Sequence, residues 1–168
     1  MDFEMSKASS TLVVIAVTSC AWAPLAHANE VTDVLIAEFA AVCLASDVGE
    51  DRYDALSTAN GWEPLDPAAT NDPNVTASYV KLLQAQPIIS SFGFSEGEVT
   101  PFCSIQSMSG DVGKLTAWVA EELLGSNPQV VPGMVVKTIY EVNVETAPNV
   151  STVTVQSAFG IVSLIGSQ

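Results

Sequence analysis

Basic residues are scarce, with five Lys and Arg against 19 Asp and Glu in 168 residues. Nucleic acid binding, which needs clustered cations to displace counterions from phosphates, is therefore not expected. Histidine is scarcer still, with His27 alone. Long apolar runs are missing too: the longest N-terminal one, Thr11 to Val17, falls well short of the ~20 residues that span a bilayer, so a stable membrane span is not expected.

What is present at the N-terminus has the order of an export signal. Lys7 is the one basic residue before the apolar core at 11–17, and Pro24-Leu25-Ala26-His27-Ala28 closes on a small-x-small cleavage site. Asp2 and Glu4 are wrong for a basic leader, which points to Met5 as the start. Cleavage after Ala28 leaves residues 29–168 as a single domain, discards His27 and leaves no imidazole. Most familiar hydrolase and metalloenzyme chemistries go with it. The competing processing site is Val17-Thr18-Ser19-Cys20, which resembles a bacterial lipobox and would leave a lipoprotein anchored at Cys20. Either route places the chain in the periplasm or outside the cell.

After cleavage Arg52, Lys81, Lys114 and Lys137 face 17 acidic residues, a formal charge of −13. That acidity either steers a basic protein partner or keeps an exported protein soluble. Cys43 and Cys103 remain, and in an oxidising compartment an even pair reads as a disulfide, here closing a loop of about 60 residues worth about 4 kcal/mol of chain entropy. A reactive thiol is the rival reading, but no cation near Cys43 lowers its pKa.

Val31 to Ser46 is nearly all apolar and reads as a core helix, with Asp33 suiting its first turn. A short helix follows over 51–59, stopped by Asn60-Gly61. Trp62, just after that turn, reads as a packing anchor folded back on the core, and of the tryptophans it is also the candidate for an exposed binding residue. Asp72-Pro73 resembles an N-cap and first-turn proline for a helix running to Gln86. Residues 90–100 read as irregular, 102–108 as the first strand, and 111–124 as an amphipathic helix capped by Asp111. The β-branched stretch 135–144, the alternating run Ser151 to Gln156 and the segment 161–165 read as strands. No repeat is visible. The expected fold is α+β, with helices packed on a small antiparallel sheet formed mainly by the C-terminal third, and one disulfide.

Three motifs bear on chemistry. Gly93-Phe94-Ser95-Glu96-Gly97 matches the nucleophile-elbow pattern, yet the expected flanking strand and helix are missing and no histidine follows. The acidic stretch Asp47 to Asp54 offers oxygen ligands for Ca²⁺ without the EF-hand spacing, and reads more simply as a solvated turn. Paired carboxylates would let a small hydrolase work without histidine. With no complete catalytic constellation and no implied cofactor or metal, the expected function is an exported acidic binding protein, of inhibitor type, for a basic envelope protein. The alternatives are a carboxylate-dependent hydrolase and a structural envelope component.

Overall fold

The computed structural model describes residues 23–46, 49–95, 100–143 and 145–168. Helix α1 (Ala23–Glu38) continues through a π turn at Phe39–Cys43 and a 3-10 turn at Leu44–Ser46. The core helix expected at 31–46 is thus present but begins earlier. The proposed scissile bond between Ala28 and Asn29 lies inside it, where the Ala28 carbonyl accepts from Thr32 Oγ1 at 2.7 Å. Helix α2 (Glu50–Ala59) carries Glu50 and Asp51 in its first turn, where they suit the macrodipole, and gives way at Asn60 and Gly61, the latter at φ +76°. Helix α3 (Val112–Glu122) is capped as expected: Asp111 Oδ1 accepts from the Lys114 amide at 3.1 Å.

The sheet corrects the fold expectation. It has eight antiparallel strands, and the C-terminal third supplies only part of it. They are β1 (Glu63–Leu65), β2 (Val75–Leu83), β3 (Gln86–Phe94), β4 (Pro101–Ser107), β5 (Ser126–Val131), β6 (Val136–Glu141), β7 (Thr152–Ala158) and β8 (Ile161–Ser167). Their order across the sheet is β1-β2-β3-β4-β8-β7-β6-β5. Each half is a four-stranded meander preceded by helix, and the halves meet where β4 pairs antiparallel with β8. A topological repeat therefore exists that the residues do not advertise.

Two segments read otherwise from sequence become β2 and β3. Asp72 Oδ1 accepts from the Asn74 amide at 2.9 Å, two residues on, which makes an Asx turn into a strand rather than a helix cap. The strand is then continued by Val75, Thr76, Tyr79 and Val80, β-branched or aromatic residues that favour extended backbone. In β3 the Ser and Gly residues are buried strand positions. A Cβ on Gly93 would lie 2.0 Å from the Asn74 carbonyl oxygen, so only glycine fits that crossing.

All three helices lie on one face: α1 packs on β4, α2 on β2, and α3 on β6 and β7. Their buried side chains Val31, Leu35, Phe39, Tyr53, Leu115 and Val119 meet Phe92, Ile105, Leu164, Val153 and Val155 from the strands. Burying that apolar surface is the main stabilising term. The Cys43–Cys103 disulfide crosses this core, joining the π turn after α1 to β4 with 5.3 Å between Cα atoms. No helix among the described residues is long and apolar enough to cross a membrane.

Candidate binding surface

Helices cover one face of the sheet, and strand alternation decides what the other presents. Directly paired antiparallel residues share a face, so the register sets side chains in rows across the sheet. One row runs Ser91, Ser104, Ile165, Thr154, Ile139. The next runs Ile89, Gln106, Ser163, Gln156, Lys137. A third brings Phe102, Ser167 and Thr152 together, with the Thr152 and Ser167 hydroxyls 2.7 Å apart. Apart from Ile89 and Thr152, these side chains line a cleft of about 640 Å³, flanked at its margin by Thr70, Asp72, Ser95 and Thr100.

The floor is hydroxyl and amide with a few apolar side chains. Backbone N–H and C=O groups there are committed to the ladder, so a ligand meets side chains only. Ser, Thr and Gln both donate and accept, which suits uncharged polar partners. Lys137 is the cation of the cleft. Lys81 pairs with Glu38, and Lys114 with Asp33 at 2.6 Å, whereas Lys137 has no ion-pair partner among the described residues. In so acidic a chain, a lysine without a carboxylate beside it is an ammonium group left available.

Beneath the sheet, a polar cluster ties α2 to this floor. Tyr53 Oη and Ser90 Oγ share a 2.8 Å hydrogen bond, and Ser78 Oγ donates to the Ser90 carbonyl at 3.2 Å. Burial pushes the Tyr53 phenol well above its ordinary range, outweighing the lowering by Ser90. Tyr79 shifts the same way, first through burial and then through the neighbouring Asp54.

Trp62 is not part of any exposed surface. Its side chain is 3% exposed and its Nε1 donates to Glu38 Oε2 at 2.9 Å. Lys81 Nζ sits 5.8 Å from the ring centroid while holding Glu38 and the Asn60 carbonyl. The packing reading of Trp62 therefore holds, and its candidacy as an exposed binding residue is corrected. Trp118 is half-buried, edge-on to Phe39 with ring centroids 6.2 Å apart.

The motif around Ser95 gains a preceding strand, since β3 runs directly into it. The next described element is β4 and not the helix an elbow requires, and Ser95 Oγ donates to the Thr100 carbonyl at 3.3 Å. Asp47, from the acidic stretch considered for Ca²⁺, lies outside the described residues, as do Cys20 and the apolar core at 11–17. Among the described residues no three metal-ligating side chains gather. Of the described residues lining the cleft, Asp72 is the one carboxylate, half of what a two-carboxylate hydrolase needs. Neither the composition nor any motif pointed to this face as a site; only the alternation of Thr152, Thr154 and Gln156 hinted at it.

Compared with protein family models, curated proteins and solved structures, the chain matches none.

Proposed function

We propose that the protein works outside the cytoplasm as a non-catalytic binding module, with the uncovered face of the sheet as its recognition surface. The observation that carries this reading is the 640 Å³ cleft floored by neutral hydrogen-bonding side chains around the unpaired Lys137. Its partner is a basic protein. Asp72 at the cleft's margin and Glu141, which stands across from Thr152 on the same face, are exposed, and with the chain's net negative charge they raise the encounter rate with a cationic partner. Lys137 then donates to a carbonyl or carboxylate oxygen of the docked partner. The export signal with cleavage after Ala28 supplies the compartment, and the disulfide supports it, because such bonds persist where thiols are oxidised.

The test is capture of basic envelope proteins by the wild type and by Ser104→Arg, which puts bulk and positive charge on the cleft floor while sparing the core. The wild type should bind at low salt and release at high salt, and Ser104→Arg should bind at least tenfold more weakly, the size of a desolvated contact of about 1.4 kcal/mol. Equal binding by both proteins would remove the cleft from the reading. Equally weak capture at low and high salt would remove the basic partner.

A further inference from the structure

Most of the exposed large apolar side chains stand at one end of the sheet. Leu82 is the last residue but one of β2 before the β2–β3 turn, Met108 follows β4, Met134 is in the β5–β6 turn, and Phe159 is in the β7–β8 turn. Their exposures are 71%, 67%, 81% and 79%. The register puts all four at the same end, since Leu83 pairs with Gln86, Ser107 with Val162, Ala158 with Ile161, and Val131 with Lys137. Val130, Val131, Val136 and Ile161 extend the set. From β2 to β5 the row crosses six strand spacings, roughly 30 Å.

The turns themselves are unusual in composition. Hairpin turns with positive φ normally use Asn, Asp or Gly. Here Gln84 and Ala85 adopt φ 47° and 69°, and Phe159 adopts φ 51° before Gly160 at 82°. An aromatic residue held in the left-handed region with its ring in water is costly twice over, in backbone strain and in hydration. The segments 82–86, 130–136 and 158–161 also carry no charged residue in a chain with 19 acids. The helix layer enters at this end as well: Gln84 Nε2 donates to Glu30 Oε1 at 2.9 Å, and the Asp111 amide donates to Thr32 Oγ1 at 2.7 Å.

We propose that this end of the sheet docks on a zwitterionic lipid surface, inserting Phe159, Met134, Leu82 and Met108 at the headgroup boundary. Separate protrusions spread along a row suit a fluid acyl phase, which needs no complementary shape, better than a rigid protein pocket. Exposed Glu30 and Asp111 beside the row outnumber Lys137, the cation at that end which no carboxylate holds, and disfavour anionic lipid.

Vesicle flotation tests this with the full chain as exported, using phosphatidylcholine vesicles and vesicles in which phosphatidylglycerol replaces part of it. The wild type should float with phosphatidylcholine and less well with the anionic mixture. Phe159→Asn, which suits the turn better and should leave the thermal midpoint unchanged or raised, should lower partitioning about tenfold. The triple variant Leu82→Ser, Met134→Ser, Phe159→Asn should stay in solution. The proposal is overturned if the wild type does not float, if Phe159→Asn floats equally well, or if the wild type proves a dimer that Phe159→Asn dissociates, which would assign the turns to a second copy.

Discussion

Replacing both Cys43 and Cys103 by alanine should cost this protein a large part of its stability. The bridge spans a sequence separation of 60 and is buried at both ends. Closing a loop of that length removes about 14 cal/mol/K of unfolded-chain entropy, or about 4 kcal/mol at 25 °C. Two small cavities add to this, because Cys103 lies opposite Phe92 and Gly166 in the core and Cys43 follows the buried Val42. The net stability of a domain this size is about 5–15 kcal/mol, so the variant should fold only marginally. Urea unfolding followed by tryptophan fluorescence measures the difference directly, since Trp62 and Trp118 report on the two ends of the helix layer. Burial of both cysteines also requires that reductant leave the folded wild type untouched until denaturant opens the core. A double-alanine variant with the wild-type midpoint would refute the chain-entropy estimate, and rapid reduction of the native protein would refute the burial of the bridge.

Gly93→Ala should destabilise by several kcal/mol, because its Cβ would sit 2.0 Å from the Asn74 carbonyl oxygen and within 2.9 Å of Val75 Cα, so backbone must move; a thermal midpoint within a degree or two of wild type would contradict the crossing. Stability should fall as pH rises above ~10, because Tyr53 stays protonated in the folded state while the unfolded phenol ionises, so its raised pKa stabilises fully below that pH and is lost above it. Tyr53→Phe should cost about 1–2 kcal/mol at neutral pH by leaving Ser90 without its hydroxyl partner, and should flatten the alkaline loss. An unchanged alkaline unfolding curve in Tyr53→Phe would show that other groups govern it.

Where sequence reading succeeded, one residue carried a local and a global signal together. Asp111 caps α3 by its own side chain, and the polar/apolar alternation of Thr152 to Gln156 sets β7 with Val153 and Val155 inward. Where it failed, local chemistry was shared between structures. Asp72 makes the same short-range bond in an Asx turn as in a helix cap, and only the β-branched residues beyond it separate the two. Ser90 and Gly93 look like loop residues until Tyr53, 37 positions away, supplies the hydroxyl partner and Asn74 the close crossing. Strand β5 is an edge with every residue exposed, so it has no alternation to read, and Pro128 sits there at no cost to a ladder. Trp62 kept a candidacy for exposure because the turn before it implies solvent, whereas Glu38 and Lys81 from distant elements enclose it.

The cleft exists because both halves of the chain put their helices on the same face, so that among the described residues the central strands of the other face are bordered only at the margin, by Thr70, Asp72, Ser95 and Thr100. Such a face must be polar, but polarity alone does not require neutrality. Gln156 stands directly across from Lys137, where an acidic residue would make a favourable cross-strand pair worth about 0.2–1 kcal/mol. In a chain this rich in acids, that pair is left unmade. If Lys137 is kept free to meet a partner, Gln156→Glu should raise the unfolding free energy by a few tenths of a kcal/mol and at the same time weaken partner capture, a trade of function for stability. If the uncovered face is merely solvated, the variant should gain the same stability and bind as before. A gain in stability with undiminished binding would therefore take Lys137 out of the recognition surface, whereas loss of both would mean that the neutral floor serves the fold.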